Sequence, residues 1–290
     1  MIWNLGSINA DNFYHLKHLP AAGETLQAAR FHQGLGGKGA NMSVAAARAA
    51  ARVAHVGAVG ADGKWAIDRL LEYGVDTPYI ATVDAPTGHA NIYVDAQGEN
   101  NIVLLAGANA DVSEQMIGRA LSDASAGDML LMQNETSGQV YAAKTAKALG
   151  LKVTYAAAPF SADAVNDVMA FVDLLILNAV EADQLERSQD MDLSQVPIDD
   201  IVVTLGAEGC KWVSNKQHSA VTLDAYPTHV VDTTGAGDTF TGYLVAALDR
   251  GMGMSAAIDL GLQAAALMVA REGTADVIPD LKEIQDHDFS

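Results

Sequence analysis

The segment "VDTTGAGDTFTGYLVAAL" (231–248) places an aspartate directly behind three small residues, Gly235, Ala236 and Gly237. They run into an apolar helical pattern that ends at Gly251. Small residues ahead of a helix leave backbone N–H groups uncovered, and the helix dipole adds to their positive potential, so the segment reads as an anion site. Asp238 stands at its mouth. As a first-turn helix acid it would add only about 0.3–1 kcal/mol of stability. As a general base it would lie beside a transferring phosphoryl group and take the proton of an attacking hydroxyl. The bare glycines favour the base, because a simple cap needs no exposed amides. Asp232, upstream of this site, could hold a cation through its carboxylate and nearby carbonyls.

A second glycine loop, "GLGGKGAN" (34–41), fits two chemistries. Gly34, Gly36 and Gly39 satisfy the dinucleotide pattern G-x-G-x-x-G, which should close the first strand and open the first helix. Here the preceding residues are "AARFHQ", and the first strand candidate lies well upstream. The next strand, "RVAHVGAVG", ends in no carboxylate. A P-loop is excluded by His32 and Gly39 at its defining positions. What remains is close backbone approach at Gly36 and Gly37, with Asn41 able to donate to and accept from a hydroxylated ligand. Taken alone, Asn41 is equally well explained as a helix cap, and Lys38 as a solvated lysine.

The elements that must carry these loops alternate. Short apolar runs ("IWNLGSI", "RVAHVGAVG", "DMLLMQ", "KVTYAA", "VDLLILN", "DIVVTLG") are separated by amphipathic helical stretches such as "DGKWAIDRLLEYG" and "SGQVYAAKTAKALG". That alternation predicts an α/β fold with a mostly parallel sheet covered by helices on both faces. Gly74 and Gly150 stand where helices should stop. Residues 11–33 and 87–107 break the rhythm and read as hairpins with turns at "PAAG" and "AQGEN". They are expected to form a small antiparallel sheet, a lid over the carboxyl ends of the parallel strands. With no repeat and no linker, residues 1–290 read as one domain with that lid.

The balance of 17 basic against 36 acidic residues disfavours nucleic acid and anionic membranes as partners. The lone Cys210 excludes an intramolecular disulfide, fits a reducing, cytoplasmic setting, and reads as a structural thiol at a strand start. No signal-peptide pattern opens the chain. The apolar run "LGLQAAALMVA" (260–270) is too short to span a bilayer and reads as a buried helix.

"GGKGAN" and "DTTGAGD", with "NLGSINAD", "MQNET", "NAVEADQL" and "VTLGAEG" in order between or before them, resemble the ribokinase (PfkB) family of carbohydrate kinases along essentially the whole chain. The resemblance implies a three-layer α/β fold with a β lid, commonly a lid-to-lid homodimer, and ATP-dependent phosphorylation of a sugar, ribose first among the acceptors. It places Asn9, Asp11, Gly37, Lys38, Asn41 and Glu135 on the sugar. Asp238 falls on the catalytic base and Gly235, Ala236 and Gly237 on the anion hole. Asn178 and Glu181 fall on an N-x-x-E motif that organises Mg²⁺ and phosphates through water. Thr204, Gly206, Glu208 and Gly209 fall on the nucleotide-binding turn. Asp232 and Thr234, with carbonyls near Met268, Arg271 and Gly273, fall on a K⁺ loop.

Some positions depart from the family pattern. Ala50 stands where Gly or Ser is usual at a helix end, Tyr243 where Ala or Gly is usual, and Val277 where some relatives place a hydroxyl near the cation. The stretch 187–206 is short and trims a helix. Two other functions stay open: a relative acting on another sugar or a nucleoside, and a catalytically silent sensor. An intact Asp238 argues against the sensor.

Overall fold

Burial on both faces dictates what the central strands are made of. The computed structural model describes residues 1–289. The chain opens with β1 (Ile2–Leu5), β2 (Asn9–His15), β3 (Arg30–Gly36), α1 (Lys38–Arg48), β4 (Val53–Val59), α2 (Lys64–Glu72), β5 (Asp76–Thr82), β6 (Gly88–Val94) and β7 (Asn100–Leu105). It continues through α3 (Glu114–Leu121), β8 (Met129–Gln133), α4 (Gln139–Ala148), β9 (Lys152–Ala156), α5 (Ala162–Val168), β10 (Leu174–Asn178) and α6 (Ala179–Gln189). Then come β11 (Asp200–Thr204), β12 (Cys210–Ser214), β13 (Ser219–Leu223), α7 (Ala236–Asp249), α8 (Met254–Met268) and α9 (Leu281–Asp286).

Nine strands form one sheet in the order β13-β12-β11-β10-β9-β8-β1-β4-β5. From β5 to β11 every pairing is parallel; β12 and β13 extend the edge antiparallel. Successive side chains serve opposite cores, as a period of two requires. Ile2 and Leu131 pack with α1, α7 and α8, whereas Trp3, Leu130 and Met132 face α3, α4 and α5. The expected three-layer α/β arrangement is therefore present. The run 260–270 lies mainly in α8, and Cys210 is fully buried, its thiol pushed up to about 12 by desolvation. Among the described residues no helix is long and apolar enough to cross a membrane.

The small sheet has the order β3-β2-β6-β7. It spans 9–36 and 88–105, slightly wider at its first hairpin than 11–33. It is mixed rather than antiparallel, because β2 and β6 run parallel. Both hairpins leave the carboxyl ends of parallel strands, β1 and β5, in the same direction, so their first strands meet side by side. The β2–β3 connection is long, with a tight turn where the Glu24 N–H donates to the Ala21 carbonyl. After α6 the short stretch makes one 3₁₀ turn, fastened by the Asn215 amide donating to the carbonyls of Leu193, Val196 and Ile198.

The unusual residues now have structural roles. Tyr243 is fully buried and donates to the Pro279 carbonyl at 2.6 Å, fastening the C-terminal segment onto α7. Ala50 follows the end of α1 with φ of 61°, a left-handed conformation in which its methyl group is crowded. Relief of that crowding outweighs the extra freedom glycine gives the unfolded chain. Ala50→Gly should raise the unfolding free energy in urea by about 0.5–1 kcal/mol, and Ala50→Val should lower it.

Candidate active site

The glycine loop meets the carboxyl ends of β1 and β8 where Gly39 lies against Gly6 and the Lys38 N–H donates to Glu135. Two backbones come into direct contact here. A Cβ on Gly39 would fall 2.4 Å from the backbone of Gly6, and one on Gly6 would fall 2.5 Å from the Gly39 Cα. Only a glycine pair lets α1 start against the end of β1. Gly37, not Asn41, occupies the N-cap position, and Asn41 lies inside the first turns of α1. The cap explanation for Asn41 therefore fails. Its Nδ2 donates instead to Asp238 Oδ2 at 2.9 Å, and its Oδ1 is buried with no protein partner among the described residues. The strand before the loop, β3, belongs to the small sheet, which removes the dinucleotide reading.

Asp11 and Gly36 sit on neighbouring strands. A Cβ at Gly36 would come within 1.9 Å of an Asp11 carboxylate oxygen, so the missing side chain is the space that carboxylate fills. Glu135, after β8, accepts from the Ser7 hydroxyl at 2.5 Å and from the Lys38 N–H at 3.2 Å. Ser7 had no signal in the sequence beyond its place after β1.

Neither Lys38 nor Asp238 is the surface residue that its sequence neighbours would allow. Asp238, in the first turn of α7, is 8 % exposed. Burial pushes its carboxyl up to about 6, against the pull of Lys38 and the Asn41 amide, while Glu135 pushes it further up. Burial likewise pushes Asp11 up to about 7, with Glu135 and Asp238 adding repulsion and Lys38 opposing them. Burial draws the Lys38 ammonium down, but Asp238, Glu135, Glu181 and Asp11 together hold it above the ordinary lysine value. One cation thus serves a cluster of four carboxylates.

Beneath the loop runs a buried polar chain. Gln133 Nε2 donates to Asn4 Oδ1 at 2.8 Å, and Asn4 Nδ2 donates to the Gly39 carbonyl and the Ser43 hydroxyl, each at 2.7 Å. Ser43 lies 2.8 Å from His55 Nδ1, and His55 Nε2 lies 3.0 Å from the Gly6 carbonyl. A carbonyl only accepts, which assigns the ring proton to Nε2. Desolvation pulls this imidazole down to about 4, so it stays neutral. Asn4, Gln133 and His55 sit in strands and Ser43 in α1, and no role attached to any of the four in the sequence.

The second group of expected residues lies along the same edge of the sheet. Asn178 and Glu181 form a reciprocal capping box at the start of α6: each side chain accepts the other's backbone N–H, at 2.9 and 2.8 Å. Glu181 is half-buried; desolvation raises its pKa, against the Asn178 amide and Lys38. At the end of β11, Gly206–Glu208 form a 3₁₀ turn closed by Gly209, with Glu208 exposed and Thr204 donating to the Leu177 carbonyl at 3.4 Å. Gly235 is the N-cap of α7; Ala236 and Gly237 are its first two residues, and the space beside Gly237 is open. Met268 packs beneath Gly235, and its sulfur accepts from the Thr239 hydroxyl. Asp232 accepts from the N–H groups of Thr234 (2.9 Å) and Gly273 (3.3 Å). The Met268 carbonyl accepts from the N–H of Arg271. A separate hollow at the opposite end of the sheet is lined by Lys152, Asp173 and Asp200. Its acids are already paired, Asp173 with Lys147 and Asp200 with the Trp212 indole, so it offers no competing chemistry.

The upward shifts of Asp11 and Asp238 have a consequence for stability. The folded chain holds these protons more tightly than the unfolded chain, so the stability they contribute is complete near pH 4 and below. It is lost as pH rises through 6 and 7. The ligand-free Asp11→Asn variant should melt above the parent at pH 8, and the two should converge near pH 4, as read by calorimetry.

Residues 2–281 match the pfkB family of carbohydrate kinases. The chain is 37% identical to the ribokinase of Haemophilus influenzae over 96% of its own length and 95% of that protein's. It is 29% identical to the deoxyribokinase of Salmonella typhi, with 98% and 97% covered. The structure of Arabidopsis thaliana ribokinase complexed with ribose and ATP superimposes with a TM-score of 0.85 at 27% identity, covering 98% of this chain and 97% of that one. Together with a buried aspartate joined to a glycine loop nearly two hundred residues away, these matches make the chain a member of the pfkB family of carbohydrate kinases.

Proposed function

We propose that the chain transfers the γ-phosphoryl group of ATP to the primary hydroxyl of D-ribose, giving ribose 5-phosphate and ADP. The observation that carries this reading is the 2.9 Å bond from Asn41 to Asp238. It joins the loop suited to a polyol to the carboxylate at the anion site, so hydroxyl and phosphate would meet at one acid. The resemblance to ribokinases from several organisms supports ribose as the acceptor.

Asn9, Asp11, Gly37, Asn41 and Glu135 would hold the ring hydroxyls, and Lys38 would offset charge between them and the phosphates. Thr204, Gly206, Glu208 and Gly209 would carry the nucleotide. Asp238, fixed through one oxygen by Asn41, would accept the proton of the primary hydroxyl with the other. The sugar oxygen then bonds to the γ-phosphorus as the bond to the ADP oxygen breaks, and the amides at Gly235, Ala236 and Gly237 receive the developing charge. Its upward pKa keeps Asp238 near the range in which a base works best.

The oxygen donors of two segments are of the hard type that Mg²⁺ and K⁺ prefer. Glu181 and Asn178 offer oxygen ligands suited to Mg²⁺ through water, and the magnesium would neutralise phosphate charge. Asp232, Thr234 and carbonyls near Met268, Arg271 and Gly273 would hold K⁺, supported by Asp232 bridging the N–H groups of Thr234 and Gly273. A homodimer through the lid completes the proposal. Its support is β7, an edge strand with Ile102, Val103, Leu104 and Leu105 all exposed, an unfavourable surface for an isolated subunit. The ATP-rich cytoplasm is the matching setting.

Screening ADP release with ribose, deoxyribose, fructose and nucleosides tests the acceptor; ribose should give the highest kcat/KM, and preference for a nucleoside would overturn the assignment. Asp238→Asn should lower kcat by about 10²–10⁴-fold with ADP binding retained, and Asn41→Ala should act mainly on the KM for ribose. With Asp238 acting as base, kcat/KM for ribose should rise with pH through about 6–7 and level off by pH 8, following the coupled carboxylates.

A further inference from the structure

Asn9 is 5 % exposed, and its amide can present either donors or an acceptor depending on which way it faces. That choice is made by a residue outside the motifs considered so far. Asn109 lies in the 3₁₀ turn Gly107–Asp111, just after β7, and is 2 % exposed. The Ile8 N–H donates to Asn109 Oδ1 at 2.9 Å. A backbone N–H can only donate, so this bond identifies the oxygen end of the Asn109 amide. Its nitrogen must then be the atom that donates to Asn9 Oδ1 at 2.8 Å, with a longer contact to the Ile8 carbonyl at 3.4 Å.

We propose that Asn109 is the positioning residue that sets the polarity of Asn9 and with it the hydrogen-bond pattern met by the sugar. With its oxygen occupied by Asn109, Asn9 is left with its two N–H donors for a ligand. Asp11, two positions along the same strand, offers acceptors when ionised. A donor beside an acceptor is a reading pattern for adjacent hydroxyls, one accepting and one donating. An amide free to flip would lose that distinction.

The surrounding backbone is shaped to preserve the contact. Gly88 is the register partner of Asn9. A Cβ there would fall 2.2 Å from Asn109 Nδ2 and 2.6 Å from Asn9 Oδ1, wedging the two amides apart. The Asn109 carbonyl accepts from the Ser137 N–H at 3.1 Å, which ties the same turn to the segment bearing Glu135. One buried asparagine thereby links the end of β1, the base of the small sheet and the segment after β8. Asn109 touches no reacting atom in this arrangement; it acts through Asn9.

The inference rests on the sugar-kinase reading, and the test separates the two. Asn109→Leu removes the donor. Asn109→Asp keeps the shape and the acceptor for Ile8 but turns a second acceptor toward the Asn9 oxygen. Ribose affinity and the KM for ribose, measured at pH 8 for parent and variants, should weaken at least tenfold in both, about 1.4 kcal/mol. ADP affinity, measured by titration calorimetry, should stay within twofold, with the loss falling on KM more than on kcat. If Asn109→Leu fails to fold, the isosteric Asn109→Asp decides the matter. Unchanged ribose affinity in Asn109→Asp, or a parallel fall in ribose and ADP affinity, overturns the positioning role alone. A parent chain that binds ADP but no ribose overturns both readings.

Discussion

Several carboxylates gathered around one lysine are the constraint that the rest of the site answers to. Asp11, Glu135, Asp238 and Glu181 all act on Lys38, and burial makes each unpaired negative charge expensive. Three of the acids, Asp11, Asp238 and Glu181, respond by holding their protons more tightly. The Asn41 amide and the Ser7 hydroxyl take up part of the remaining demand by donating to Asp238 and Glu135. Such a cluster is unfavourable in an empty protein and useful in one that binds a polyol and a phosphate, which bring donors and charge of their own. The cost to stability and the capacity for chemistry come from the same desolvation.

Holding that cluster in register falls to backbone contacts more than to side chains. Gly6 and Gly39 bring α1 against β1 with no side chain between them. The chain from Gln133 through Asn4, Ser43 and His55 then satisfies the carbonyls of Gly39 and Gly6 from below. Removing one partner would leave a buried polar atom unpaired, so the network rigidifies the loop as a unit. Gly36 leaves room for the Asp11 carboxylate by the same logic of absence. In one dimension Gly36 and Gly39 read as loop residues and Gly6 as part of a strand run; in three they are interfaces between elements.

Much of the architecture was legible in the order of residues. Runs such as "VDLLILN" and "DIVVTLG" are apolar on both faces and short, which only a covered parallel strand accommodates, and they became β10 and β11. The edge strands β5 and β13 were not anticipated, since "DTPYIAT" and "SAVTL" are half-exposed and carry a proline or polar residues. The small sheet was anticipated as hairpins but not as a mixed sheet. Local periodicity specifies a strand's faces, whereas the parallel β2–β6 pairing depends on where β1 and β5 release the chain.

By itself the sequence determined the alternation of strand and helix, the two glycine loops and the chemical types placed within them. These are local properties, set by side-chain period, by the backbone freedom of glycine and by where helices can begin. Whether Asp238 was a helix cap or a buried acid, whether Lys38 was solvated, and what Asn41 faced were decided only when the chain folded. Ser7, Asn109 and His55 acquired their roles at the same moment. Desolvation and hydrogen-bond partnership depend on residues a hundred or more positions apart, and no local pattern encodes the distance between them.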